Sequence, residues 1–336
     1  MVNPLGVPNV VNELMKEFCK MRTLISGLAI MLAAPALAMT ADDINTAQYT
    51  DGAIPNGQSA ITVKLQVLLD QAGISPGVID GYSGGMSESA LRGFEAREGL
   101  EVDGVLDPEV WAALGGSNGG AILQSYTLTQ EDLSNLSAEI PDNVAEKAKM
   151  EMLGFTRVTE ALAERFHMDE DFLKLLNPDA AFAEGDTITV TDTGPDLEGA
   201  GARIEIRKSE QRAVVFDAEG NMLTNYPVAI GSKETPSPEG SLEVTAVAID
   251  PTYSYRPSVN FEADGVKEEL TLPPGPNGPV GSVWIDLSKP TYGLHGTSAP
   301  AKLFSASSHG CVRFTNWDVK ELAHMVSKGV VVDFVE

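Results

Sequence analysis

Residues 293–313 read GLHGTSAPAKLFSASSHGCVR. They hold Cys311, two of the chain's four histidines, His295 and His309, and Arg313 two places beyond the thiol. A thiolate is a competent nucleophile, but a free cysteine is mostly protonated near neutral pH and needs a base or a positive neighbour. His295 is the candidate base. Gly310 permits close backbone approach, and the amides around Gly310 and Cys311 are candidates for an oxyanion site. Arg313 suits a substrate carboxylate, which a guanidinium grips through two parallel hydrogen bonds. Two histidines and a cysteine also admit a zinc reading, yet no fourth ligand or Cys-x-x-Cys pair accompanies them. Neither a metal nor a cofactor is expected.

Outward from this stretch the chain is punctuated by short alternating runs: Arg203-Ile204-Glu205-Ile206, Ala213-Val214-Val215-Phe216, Val228-Ala229-Ile230 and Leu242 to Val247. These read as β-strands. One helix interrupts late, from Asn316 to Lys328, before a terminal strand over Val330 to Phe334. The pattern predicts a mostly-β, sandwich- or barrel-like catalytic domain over residues 202–336. Its Pro-rich stretch at 250–280 carries Tyr253, Tyr255 and Arg256, and reads either as a flap lining the substrate or as a long surface loop.

Upstream the period changes. Between Gln58 and Leu114, apolar residues recur at helical spacing (Ile61, Leu65, Leu68, Leu69, then Ala90, Leu91, Phe94), with turns at Asp80-Gly81 and Asp103-Gly104. With Phe94 and Trp111, residues 58–115 resemble the small three-helix peptidoglycan-binding domain. After the run Gly115 to Gly120, two helical stripes (Val158, Leu162, Phe166; Phe172, Leu175, Leu176), a stop at Asn177-Pro178 and a strand at Asp186 to Val190 follow. Residues 126–192 so resemble a degenerate LysM module, an α+β glycan-binding fold. A long helical insert, roughly residues 130–155, departs from that pattern. A structural spacer is the competing reading.

The N-terminus points to export. Lys16, Lys20 and Arg22 precede an apolar run from Leu24 to Ala34, and Ala36-Leu37-Ala38 completes the signature of a secretory signal peptide, with Met21 as its ordinary start. Cleavage is expected after Ala38. The run is too short to span a bilayer, so no stable membrane span is expected once it is removed. Residues 39–57 are polar, with Gly and Pro, and read as a linker. Of the two cysteines, Cys19 would be lost with the signal, leaving Cys311 as one unpaired thiol in an oxidising compartment. A net charge of −25 without a basic cluster argues against nucleic acid as a partner.

The pair "HGT…SHGCVR", with Thr235-Pro236-Ser237-Pro238-Glu239-Gly240, Leu272 to Asn277 and Trp317-Asp318, strongly resembles the signature of the YkuD-type L,D-transpeptidase catalytic domain. That resemblance implies a periplasmic enzyme acting on peptidoglycan. Cys311 would attack the carbonyl of the third residue of a tetrapeptide stem, expel the terminal D-alanine and pass the acyl group to an amine. His295 would be the general base, Ser308, His309 and Gly310 would shape the site, and Arg313 would position the donor. Gly296, Thr297, Tyr253 and Tyr255 complete the candidate substrate contacts. Some members have Ser after the first His where this chain has Gly296, which leaves the third triad member open. The resemblance also implies a covalent adduct with carbapenems. The acceptor, whether a second stem peptide, a lipoprotein lysine or an outer-membrane protein, is not legible in these residues. Hydrolysis of the same thioester, as an L,D-carboxypeptidase or amidase, is an alternative. A non-catalytic peptidoglycan-binding protein is another.

Overall fold

A computed structural model describes residues 39–118, 120–257 and 266–336. The expected export signal, with Cys19, lies outside the described residues. The first described element, α1 (Ala41–Thr46), corrects the reading of residues 39–57 as a linker. Thr40 and Asp43 form a reciprocal capping box at its start. Ile44 is fully buried, and the Asn45 carboxamide oxygen accepts the Ile122 and Leu123 amides at 2.9 and 3.2 Å. Three helices follow. Ser59 caps α2 (Ala60–Gln71), and α3 (Gly85–Glu98) ends at Gly99 with φ 71°. Asp107 caps α4 (Pro108–Ala113), with Pro108 in the first turn. Their apolar faces close over Leu65, Leu69, Ile74, Phe94 and Trp111.

In the middle unit, β1 (Leu123–Thr127) pairs antiparallel with β2 (Thr187–Thr191). The long helical insert expected between them is mostly irregular: α5 (Gln130–Ser134) and α6 (Val144–Lys147) are a single turn or little more. Pro141 interrupts this stretch, and helices so short are not stable on their own. Then come α7 (Val158–Arg165) and α8 (Glu170–Leu176). Their buried Leu162, Phe172 and Leu173 share one core with Ile44, Val63 and Ile79 of the helical unit.

The remaining strands are β3 (Arg203–Arg207), β4 (Arg212–Phe216), β5 (Met222–Pro227), β6 (Gly240–Ile249), β7 (Tyr253–Tyr255), β8 (Leu270–Leu272), β9 (Val283–Leu287), β10 (Gly293–His295), β11 (Val312–Arg313) and β12 (Val331–Val335). Eight of them form one sheet in the order β11-β10-β9-β6-β12-β3-β4-β5, and β7 and β8 form a separate hairpin. The expected strand at Val228 to Ile230 is reduced to isolated bridges, Ala229 to Arg313 and Gly231 to Ser308. The first bridge joins the chain leaving β5 to the opposite edge strand β11 and the second to the loop before it, so the sheet curls toward closure and both edges are covered. Helix α9 (Asn316–Met325) packs Val319, Leu322 and Met325 into the core with Ile204, Ile285, Leu294 and Phe334.

The helical unit also covers the β5 edge. Ser75 N donates to Asn225 O at 2.9 Å, Asn225 N to Gly73 O at 3.0 Å, and Thr224 Oγ1 to Gly73 O at 2.8 Å. Beside this seam the three units bury a polar cluster. His167 Nδ1 meets Asp70 Oδ2 at 2.8 Å, the His167 ring stacks on Trp317 at 5.1 Å, and Ser75 Oγ donates to Asp318 Oδ2 at 3.1 Å. Burial pushes the Asp318 carboxyl up to about 7, against the pull of the His167 charge and its hydrogen bonds. Burial lowers the His167 imidazole, but the Asp70 carboxylate, together with the Asp318 and Glu321 charges, leaves the imidazole above its ordinary value.

Between the ordinary carboxyl range and about pH 7 the folded protein therefore holds the Asp318 proton that the unfolded chain has released. Stability from this group must fall as pH rises through that window. Glu164, also raised to about 7 by burial, adds the same sign. Asp318→Asn is expected to flatten part of the fall in melting temperature between about pH 4 and about pH 7. An unchanged slope in thermal melts across that range would show that Asp318 is not a source of it.

Candidate active site

β10 and β11 lie parallel, with Leu294 opposite Val312 and His295 opposite Arg313. Phe314 N donates to His295 O at 2.8 Å and extends the pairing. Side chains directly opposite one another in a ladder share a face. The ladder thus sets His295 beside Arg313 although residues 296–312 separate them in the chain, and Cys311, in the bend just before β11, is held against β10 by the Gly293 amide. The Arg313 charge acts on both Cys311 and His295.

The Cys311 thiol is partly exposed, and its Sγ approaches Thr291 O at 3.6 Å. Thr291 has φ 74°, strained for a β-branched residue, and so presents its carbonyl toward the thiol at a cost to the turn. Gly310, with φ 112°, has no room for a side chain. A Cβ there would lie 2.8 Å from a Tyr292 ring carbon and 3.3 Å from Pro236 O. Burial pushes the Cys311 thiol above its ordinary value, while the Gly293 amide and Arg313 pull it back part of the way.

His295 is buried and stacks on Trp284 with ring centroids 5.7 Å apart. Its Nδ1 lies 2.7 Å from Gly296 O. A carbonyl only accepts, so Nδ1 carries the proton and Nε2 keeps its lone pair. The partner that the sequence left open is this backbone carbonyl. Gly296, expected to contact substrate, instead orients the imidazole. Burial, with the nearby Arg313 charge, holds the imidazole down to about 4 against the help of the Gly296 bond. Near neutral pH the resting pair is a neutral thiol and a neutral imidazole.

The loop before Cys311 is held by hydroxyls. Ser308 is buried; its Oγ accepts Gly310 N at 3.0 Å and donates to Cys311 O. The Gly310 amide is therefore engaged, which removes it from the expected oxyanion site. From the neighbouring loop, Thr235 Oγ1 donates to Ser308 O at 3.3 Å. Ser237 Oγ donates to Gly310 O at 3.0 Å while accepting Gly231 N at 2.8 Å. Ser237, buried and bonded on both sides, had no role in the sequence reading beyond its place in Thr235 to Gly240. Ser237→Ala strands the Gly310 carbonyl and the Gly231 amide. It is expected to cost about 1–3 kcal/mol and to slow Cys311-dependent turnover, measured by chemical unfolding beside single-turnover assays. His309 is exposed, and Thr297 Oγ1 accepts Ala299 N at 3.3 Å, shaping the turn after Gly296.

The two tyrosines separate. Tyr253 is partly buried, and its hydroxyl is raised by burial and then by the Cys311 charge, which puts it within electrostatic reach of the thiol. Tyr255 is fully buried against Val144, Leu153 and Leu272. It is corrected from substrate contact to the core that joins the β7–β8 hairpin to the middle unit. Arg313 is half-buried, and its Nη1 donates to Ser307 O at 3.2 Å.

The curled sheet sets an imidazole with a committed Nδ1 and a guanidinium on adjacent strands, with a thiol in the bend before β11, and groups of these kinds can serve thiol-dependent acyl transfer. Residues 201–333 match the YkuD family, described as the L,D-transpeptidase catalytic domain, and residues 58–114 match the family described as "Putative peptidoglycan binding domain". The chain thus carries a YkuD L,D-transpeptidase catalytic domain preceded by a peptidoglycan-binding domain. Among similar proteins is the "Putative L,D-transpeptidase YkuD" of Bacillus licheniformis, 34% identical over 111 residues, which are 33% of this chain and 52% of that protein. Another is the "Probable L,D-transpeptidase YbiS" of Escherichia coli, 28% identical over 192 residues, covering 54% of this chain and 61% of that protein. The chain spans just over half the length of these curated relatives. A crystal structure of an L,D-transpeptidase from Xylanimonas cellulosilytica aligns over 85% of this chain and 100% of that one, with 15% identity and a TM-score of 0.38.

Proposed function

We propose that the protein is an exported, periplasmic L,D-transpeptidase that acts on peptidoglycan tetrapeptide stems through a Cys311 thioester. The carrying observation is the His295 Nδ1 bond to Gly296 O at 2.7 Å, which leaves Nε2 as the base on the strand beside the thiol. As Cys311 Sγ attacks the carbonyl carbon of the third stem residue, its proton passes to His295 Nε2. The Cys311 amide is the candidate donor to the tetrahedral oxyanion, since Gly310 N is engaged by Ser308. Collapse breaks the bond to the terminal D-alanine, whose amine takes the proton from His295. An acceptor amine then attacks the thioester, gives its proton to His295, and the expelled thiolate recovers that proton.

Arg313 is suited to hold a donor carboxylate, and Tyr253, whose hydroxyl feels the Cys311 charge, is a candidate contact for the same stem. The peptidoglycan-binding domain and the middle unit would keep the site on its polymer, with the middle unit a candidate for glycan. The test is incubation of the purified protein with tetrapeptide muropeptides, with and without an amine acceptor, beside Cys311→Ala, with products weighed. Dimers lacking one D-alanine support transfer to a second stem. Tripeptide alone turns the reading to hydrolysis, and no Cys311-dependent product removes the enzyme reading. A lipoprotein or outer-membrane protein as acceptor is a further outcome of the same assay with those amines supplied.

A further inference from the structure

Asn316 begins α9, is fully buried, and has both ends of its carboxamide engaged. Its Oδ1 accepts the Ser282 amide at 3.0 Å and occupies a slot between two glycines. A Cβ on Gly281 would come within 2.2 Å of that oxygen and one on Gly296 within 2.1 Å. Gly296 is the residue whose carbonyl takes the His295 Nδ1 proton. The amide of Asn316 is therefore packed directly behind the group that orients the imidazole.

The other end of Asn316 reaches out of the catalytic domain. Its Nδ2 lies 3.1 Å from each oxygen of Glu164 and 3.2 Å from Pro276 O. Glu164 belongs to α7 of the middle unit and lines a cavity of about 450 Å³ where the three units meet. The same edge of the middle unit grips the loop that supplies Pro276. Leu153 N donates to Pro274 O at 2.8 Å, Asn277 N to Leu153 O at 2.9 Å, and Asn277 Nδ2 to Glu160 Oε1 at 2.7 Å. An ordinary helix-start amide needs none of this, since Thr315 already caps α9 by accepting Asp318 N.

We infer that Asn316 is a positioning residue that fixes the Gly296 carbonyl and through it the His295 imidazole, and that Glu164 of the middle unit holds Asn316 in place. The middle unit is then part of the catalytic apparatus and not only a tether. This inference rests on His295 acting as the base proposed above. Displacing a catalytic group by a fraction of an ångström slows chemistry more than binding, so the defect belongs in kcat and not in KM.

The test compares Asn316→Ala, Glu164→Ala and Glu164→Gln with the wild-type full chain. Turnover of tetrapeptide muropeptides is followed alongside an NMR titration of the histidine rings, with His295→Gln assigning the signal. Asn316→Ala and Glu164→Ala are expected to lower kcat about tenfold or more with KM within about twofold. The His295 titration should move further below the ordinary histidine range, because the Gly296 carbonyl is the contact that supports the protonated ring. Glu164→Gln keeps one acceptor for Asn316 Nδ2 and is expected to restore most of the rate. If Asn316→Ala does not fold, Glu164→Ala at the cavity wall carries the test. Folded variants with wild-type kcat and an unmoved His295 titration overturn the inference. A moved titration in a protein that shows no Cys311-dependent product would leave the positioning intact and sink the proposed reaction instead.

Discussion

Cys311→Ala is expected to release no measurable D-alanine from tetrapeptide muropeptides, a loss of about a thousandfold or more, while its far-ultraviolet circular dichroism and melting temperature stay close to wild type. The side chain is partly exposed and its thiol makes a long contact to Thr291 O beside the Gly293 amide, so truncation removes the nucleophile without opening a core cavity. The wild-type chain is expected to form a covalent adduct with a carbapenem, read as a mass increase of the intact protein, and Cys311→Ala is expected to form none. An adduct that survives Cys311→Ala would place the nucleophile elsewhere. Residual turnover within about tenfold of wild type would do the same for the reaction.

The second large effect concerns pH. Because the imidazole is held down to about 4 and the thiol is pushed up, the resting site is neutral across the physiological range. For an imidazole that must be unprotonated to act as base, kcat/KM should rise through about pH 4 and stay level from about pH 5 to about pH 8. A resting thiolate–imidazolium pair would require the opposite order of the two affinities and would make alkylation by iodoacetamide fast at low pH. Here burial pushes the thiol above its ordinary value, so alkylation should be slow near neutral pH and rise only in alkaline solution. Removing the base by His295→Gln is expected to lower kcat by about 10²- to 10⁴-fold. Rapid Cys311 alkylation at about pH 6, or a rate maximum confined to pH 6–7, would refute the neutral pair.

Local patterns carried much of this into view. The alternating run Arg203 to Ile206 became β3 because one of its faces is buried. The Gly99 and Pro108 positions bounded helices for backbone reasons that need no partner. Cys311, His295 and Arg313 stood out because nucleophile, base and cation are residue types with few other uses together. Less legible were positions whose meaning depends on what comes near them. Val228 to Ile230 has the composition of a strand but serves as a bridge between two sheet edges. Residues 39–57 look like a linker, yet Ile44 finds a core and Asn45 finds two amides from Ile122 and Leu123.

The chemistry of the site was therefore set by sequence alone: a thiol, an imidazole and a guanidinium spaced on a β pattern, with glycines where the backbone must come close. Periodicity and residue chemistry are local properties, and they are readable without neighbours. The protonation order of the pair, the Gly296 carbonyl as the imidazole's partner, the engagement of Gly310 N by Ser308, and the separation of Tyr253 from Tyr255 were decided only by tertiary structure. Each depends on burial or on a hydrogen bond between residues distant in the chain or paired by a particular loop geometry. Desolvation and close packing depend on the whole fold, so Asn316 and Glu164, 152 positions apart, acquire a shared role only once three units are folded against one another.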